Sequence, residues 1–448
     1  MNWETPFLFQ APAIYQVAAF PFAALFHYLC TSRSLSINAR YIYLLVGGFL
    51  LAFAAMGRYA LLLLLSAFCS LGVIHSAGPQ KVHKRAFFFQ MSWQTLCHLW
   101  LHYKEYYLQE AAGIRLPVAL SALMLMTQRV TSLALDIHER KMSPAWPGDG
   151  EKEAPRGDEL QALSFCTYLL SFPTLLGGPL CSFNRFQTWI RSRRTPCSAR
   201  SLRAAAQRGL GALLLSFLRD ILGRYVCPQD DLAECTHFGC IYAMWTSALF
   251  FRLTYYSHWM LDESLFLAAG LGQRLAHGPH AETEDQVLLD THIWTLETTN
   301  RIAAFTRTWN KSTAQWLRRL IFQRRRSFPL LATFAFSAWW HGLHPGQVFG
   351  FLCWAVMVEA DYRFHHFFGS VAKSQPQRWL YQLLTWCHTQ LVMAYVMIAV
   401  ETRSLSMLWW LCSSYSSFFP LVYAVSLLLL AKRKVSSHDA HHPHTSHP

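Results

Sequence analysis

The stretch Leu408 to Ala431 contains no Lys, Arg, Asp or Glu, carries four consecutive leucines and is closed by Lys432, Arg433 and Lys434. About 20 consecutive apolar residues cross the hydrocarbon core of a bilayer as a helix, so a run of this length constrains the fold more than any other feature. It does not stand alone. Tyr41 to Met56 is followed, after Gly57 and Arg58, by Tyr59 to His75, and Pro12 to Cys30 is a further apolar run near the start. That first run lacks a basic leading region and a small-residue cleavage site, so no cleavable signal peptide is expected. With 53% hydrophobic and 14% charged residues and a mean hydropathy of +0.18, the chain reads as an all-α polytopic membrane protein.

In such a chain the formal net charge of +14 is first a topology signal, because Lys and Arg stay on the cytosolic side; nucleic acid is not an expected partner. Arg33 and Arg40, KVHKR at 81–85, HERK at 138–141 and the terminal KRK are therefore assigned to the cytosol. Further apolar runs near 86–103, 116–135, 208–226, 240–258, 328–344, 346–366, 380–400 and 407–431 bring the count to eleven spans, with the N-terminus lumenal and the C-terminus cytosolic. Residues 164–183, SFCTYLLSFPTLLGGPLCSF, are apolar but interrupted by Pro173, Gly177, Gly178 and Pro179. If they crossed, the seven arginines of 184–208 would lie outside. They read instead as a re-entrant hairpin, whose broken backbone must be satisfied by protein or by a wet cavity; an ordinary kinked span is the competing reading. One membrane-embedded domain is expected over 1–435, with a mobile loop at 143–159, a long cytosolic region at about 259–327 and a His-rich disordered tail at 436–448. The acidic stretch 227–240 suits the lumen, where Cys227, Cys235 and Cys240 either supply a disulfide or remain thiols.

Residues 335–346, AFSAWWHGLHPG, place an ionisable His341 among apolar neighbours. It lies fifteen residues beyond Arg326. At about 1.5 Å per residue that is roughly 22 Å of helix, past the midplane of a core about 30 Å thick. An ionisable group at that depth is a functional candidate, and a neutral imidazole serves as a general base. A core histidine satisfied by a backbone carbonyl is the alternative. Phe334 and Ser337 lie seven and four residues earlier on the same face, and Gly342, Pro345 and Gly346 weaken the helix just beyond. Phe334, with Trp354, is expected to line an apolar cavity, and Tyr255 and Tyr256 to border it or to form an interfacial belt.

Upstream, RIAAFTRTWNKSTAQWLRRLIFQRRRS (301–327) alternates aromatics with arginines. Helical spacing puts Arg307 with Asn310, and Trp309 with Trp316, on shared faces, which suits an interfacial helix. Asn310-Lys311-Ser312 spells a glycosylation sequon, but on the cytosolic side no glycan is expected. His98 and His102, spaced i, i+4, read as a polar stripe rather than a metal pair. Glu359 and Asp361 are expected to pair with an arginine or to mark the cytosolic boundary.

The asparagine in RTWNKS and the histidine in AWWHG, 31 residues apart on an apolar polytopic chain, resemble the membrane-bound O-acyltransferase family, as does the Pro/Gly segment SFPTLLGGPLCSFNRF. MSWQTLCHLWLHYKEYYL, QRVTSLALDI, LTYYSHWMLDESL, AFSAWWHGLHPGQVFGFLCWAVMVEADY, AFPFAALF and LLLLAKRK are similar to the branch of that family that acylates a secreted peptide hormone. The similarity covers most of 1–435 and is least near 143–159, 192–206, 274–288 and the tail. The resemblance implies the family fold with an internal channel and the catalytic pair Asn310 and His341. It also implies an acyl-CoA co-substrate, octanoyl-CoA by preference, arriving from the cytosol, and a serine hydroxyl of a peptide precursor arriving from the lumen of the endoplasmic reticulum. No permanently bound cofactor and no metal are expected. The arginine-rich face including Arg307 and Trp309 would draw the CoA phosphates. A related acyltransferase acting on another secreted protein or a lysolipid is the nearest alternative. A transporter using an intramembrane histidine is more remote, because inverted repeats with paired broken helices are not evident.

Overall fold

The computed structural model describes residues 11–32, 34–109, 113–139, 156–191, 199–226, 237–271, 292–369 and 374–439. Among the described residues every regular element is helical. By length and hydropathy alone, Ala13–Thr31, Ile37–Ser76, Arg115–His138 and Gln375–Glu401 are long and apolar enough to cross a membrane. Leu405–Ser413 and Tyr415–Leu429 qualify together as a further span bent by 68°. Most of the expected loop at 143–159, the tail beyond 439, Arg33, Cys227 and Cys235 lie outside the described residues.

Contacts divide the chain into two units that alternate along the sequence: 1–224, 253–291 and 311–316 form the first, and 225–252, 292–310 and 317–448 the second. The first holds α1 (Ala11–Ala18), α2 (Phe20–Thr31), α3 (Ile37–Met56), α4 (Ala60–Ser76), α5 (Val82–His102), α6 (Arg115–His138), α7 (Arg156–Leu170), α8 (Phe172–Leu175), α9 (Phe183–Arg191) and α10 (Ala199–Ile221). The long α11 (His237–Ala268) is shared, its first part belonging to the second unit. The second unit continues with α12 (Ile293–Thr298) and α13 (Ile302–Thr308), and after the shared α14 (Lys311–Leu320) with α15 (Pro329–His341), α16 (Pro345–Phe368), α17 (Gln375–Glu401), α18 (Leu405–Ser413) and α19 (Phe418–Asp439).

In the first unit α6 is the innermost span, with 83% of its apolar window buried. Its polar residues are not stray. Thr127 donates to Gln94 Oε1 at 2.7 Å, Gln90 bonds Ser66 and Ser70, and Gln94 approaches His98 at 3.4 Å. Buried amides and hydroxyls without partners would be costly in an apolar interior, so they are arranged as a ladder. His98 thus sits in the polar stripe that the i, i+4 spacing suggests.

The Pro/Gly segment is broken backbone. α7 ends at Leu170, a single turn spans Phe172–Leu175, and Gly178 adopts φ +98° before α9 begins at Phe183. Side chains satisfy the peptide groups this break exposes. Arg129 donates to the Leu169 carbonyl at 2.9 Å, Tyr168 to the Cys181 carbonyl at 2.7 Å, and the Ser312 hydroxyl accepts the Leu180 N–H at 3.2 Å. The buried Asp262 carboxylate accepts from the Gly178 N–H and from Gln16. It approaches so closely that a Cβ on Gly177 would fall 2.0 Å from Asp262 Oδ2. Irregular backbone at membrane depth needs such partners.

In the second unit α17 starts with a capping box: the Ser374 hydroxyl accepts the Gln377 N–H at 3.4 Å, and Gln377 Oε1 accepts the Ser374 N–H at 3.1 Å. Its other end meets α16 at Gly346 and Gly350, four residues apart, where small residues let helices approach closely. A Cβ on Gly346 would lie 2.0 Å from the Thr402 carbonyl oxygen, an atom no rotamer change can move. Gly346→Ala is therefore expected to destabilise the protein by about 1–3 kcal/mol, read as an earlier thermal loss of the monodisperse species in detergent. An unchanged melt would show that α16 and α17 are not so closely apposed.

Candidate active site

Helix α15 is short. Pro at its first position suits a helix start, where the missing N–H needs no partner. Gly342 at φ +122° ends it directly after His341, and Leu343, at φ +64°, turns the chain toward α16. The helix weakens where Gly342 and Pro345 suggest it should. Thirteen residues at about 1.5 Å each give roughly 20 Å.

His341 is half-buried at this end. Its Nδ1 lies 2.7 Å from the Ser337 carbonyl, one turn back. A carbonyl only accepts, so Nδ1 carries the proton and donates it. Neutral imidazole then has its one free lone pair on Nε2. That is the protonation pattern of a general base: one nitrogen oriented by a fixed acceptor, the other available to take a proton.

The ring is packed edge-on against Trp340 at 4.5 Å and meets Phe351, tilted by 36°, at 4.7 Å between centroids. Phe351 in turn stacks parallel to Trp354 at 6.2 Å, and Trp354 meets Phe334 at 5.7 Å. The structure thus gathers Phe334, Trp354 and His341 along one aromatic wall formed by α15 and α16. Ser337 is buried there, and what it supplies to His341 is its carbonyl. Phe351 was missed from the sequence, although its place three residues before Trp354 puts both on one face of α16.

The face-sharing expected upstream fails. α13 ends at Thr308, Trp309 is extended at ψ 117°, and Asn310 takes a left-handed φ of +44° before α14 starts at Lys311. Asparagine is one of the few residues that tolerate that region. Arg307 and Asn310 are therefore not on one helix face, nor are Trp309 and Trp316. Trp309 stacks on Phe305 at 5.7 Å, whereas Trp316 is buried and donates to the Thr131 hydroxyl at 2.9 Å, so it is not an interfacial anchor. Arg307 is exposed and donates to the Tyr362 hydroxyl at 3.1 Å. Trp354 Nε1 donates to the Thr306 hydroxyl at 2.8 Å, which ties α13 to the aromatic wall.

Tyr255 and Tyr256 belong to the first unit, on α11, where both pack on Trp259. The acidic pair near the end of α16 does meet arginines: Asp361 binds Arg301 at 3.1 Å and Glu359 binds Arg363 at 2.8 Å. Cys240 is disulfide-bonded.

The model of the membrane-bound O-acyltransferase family matches residues 129–400, more than half of the chain. The chain is 54% identical over 434 residues to the membrane-bound ghrelin O-acyltransferase of Rattus norvegicus, covering 97% of this chain and 99% of that protein. It is 53% identical, with the same coverage, to that of Mus musculus. Membrane-bound glycerophospholipid O-acyltransferase 2 of Homo sapiens is 27% identical over 433 residues, covering 90% and 80% of the two chains. On this similarity the chain belongs to the membrane-bound O-acyltransferase family.

Proposed function

We propose that this acyltransferase transfers a medium-chain acyl group, octanoyl by preference, from acyl-CoA to a serine hydroxyl of the ghrelin precursor in the endoplasmic reticulum membrane. The observation that carries the substrate is the near full-length identity of 54% and 53% to two ghrelin O-acyltransferases, twice that to the glycerophospholipid enzyme. His341 takes the serine proton on Nε2 as the serine oxygen attacks the thioester carbonyl. The tetrahedral intermediate collapses with cleavage of the carbon–sulfur bond, and the imidazolium returns its proton to the CoA sulfur. Asn310 holds the thioester or its developing oxyanion through its side-chain amide, and no acyl-enzyme is required.

The acyl chain lies along Phe334, Phe351 and Trp354, and the CoA phosphates are drawn to the arginine-rich segment from Arg307 to Arg326. Donor and acceptor reach the site from opposite sides of an eleven-span protein with a re-entrant segment at 164–183 and an internal channel. The disulfide at Cys240 supports a lumenal position for that residue, because disulfides persist in oxidising compartments.

Membranes containing the protein, supplied with octanoyl-CoA, are expected to acylate a peptide carrying the ghrelin N-terminus and to leave lysophospholipid unmodified. Lysophospholipid acylation without peptide acylation would move the protein to the lipid-acylating reading.

A further inference from the structure

Helix α13 has seven residues, too few to be stable in isolation. Its N-cap, Arg301, makes no side-chain cap bond of its own. The cap comes from elsewhere in the second unit. Asp361, completely buried on α16, accepts the Ile302 N–H at 3.1 Å through Oδ1 and the Ala303 N–H at 3.3 Å through Oδ2. These are the first two N–H groups of α13, which have no partner within the helix, and a carboxylate there is also favoured by the helix dipole. Arg301 Nε holds Oδ2 at 3.1 Å, and His365 Nε2 lies 3.3 Å from Oδ1. His365 Nδ1 meets the Tyr381 hydroxyl of α17 at 2.7 Å, which fixes the imidazole beside that carboxylate. Two turns before Asp361 on the same helix, Trp354 grips Thr306. α16 therefore clamps α13 at its start and near its end, and four residues beyond Thr306 the chain reaches Asn310.

We propose that Asp361 is a positioning residue for the acyl-transfer site: by capping α13 it fixes where the chain leaves that helix, and so where Asn310 presents its amide. The same α16 carries Phe351 against His341. One helix thus references both members of the proposed pair, and Asp361 sets the Asn310 side. This inference rests on the reading of Asn310 and His341 given under Proposed function.

The test uses the full-length protein in membranes, with octanoyl-CoA and the peptide as substrates. Asp361→Asn keeps the shape but turns an amide NH2 toward the N–H groups and Arg301. It is expected to lower kcat by about 10- to 100-fold, since a misplacement of order 1 Å carries a loss of that size, with KM for octanoyl-CoA changed less than about threefold. Amide hydrogen exchange should quicken over 302–310 and stay as in wild type over 330–341. Asp361→Glu, which keeps the charge, should recover part of kcat. If Asp361→Asn does not accumulate, Arg301→Gln provides the same two readouts. A loss confined to KM, unchanged exchange over 302–310, or equally faster exchange over 330–341 would each overturn the proposal. Wild-type turnover by Asn310→Ala would instead remove the role of Asn310 itself, a separate result that leaves the exchange measurement standing.

Discussion

His341→Ala loses acyl transfer by about 1,000-fold or more while remaining a folded, monodisperse protein in detergent. General-base catalysis contributes about 100- to 10,000-fold, and the His341 ring is the candidate base at the end of α15, its Nδ1 held by the Ser337 carbonyl. The side chain makes ring contacts with Trp340 and Phe351, so its removal trims one packed ring without disturbing the helix backbone. The measurement is initial rate at saturating octanoyl-CoA and peptide, alongside elution profile. Turnover within about threefold of wild type by a folded His341→Ala protein is incompatible with any base role for this residue.

The second large effect is at Asn310, and it separates two explanations. The residue sits at φ +44°, so its presence is accounted for either by the backbone or by the amide. Asn310→Gly keeps the backbone freedom and removes the amide; Asn310→Ala removes the amide and strains the backbone. If the amide stabilises developing charge on the thioester oxygen, both variants lose about 100- to 1,000-fold in kcat, the usual size for one such donor. If the residue only shapes the turn, Asn310→Gly works and Asn310→Ala does not. The proposed mechanism requires the first pattern.

The parts legible in the sequence were those set by composition and by local covalent geometry. Apolar runs gave helices, and the Pro173 and Gly177–Gly178 interruptions gave a broken segment, because neither residue type sustains an α-helix. The stop after His341 followed from Gly342 and Pro345 for the same reason. Phe334, on one face with His341 by its spacing, meets Trp354 of the next helix, and Phe351 links that pair to His341. What spacing missed was the end of α13. Nothing in FTRTWNKS forbids a helix through Asn310, so helical spacing puts Arg307 and Asn310 on one face. Partners on α16, Asp361 and Trp354, hold α13 from a distance, and single-sequence periodicity carries no information about such contacts. Asp361 was legible as a residue seeking an arginine, but its capping role depends on two backbone N–H groups about 60 residues away in sequence.

The acceptor that orients His341 is a main-chain oxygen, that of Ser337. Every amino acid supplies that atom, so no exchange of side chains can delete it. If His341 and Asn310 act as proposed, a systematic alanine scan would report those two residues and miss this third participant. On that proposal, an inventory of catalytic groups drawn from mutational data would describe as a dyad an arrangement of three parts. Replacing the peptide link between Ser337 and Ala338 with an ester, which weakens the carbonyl as an acceptor, is the kind of change that would reveal it.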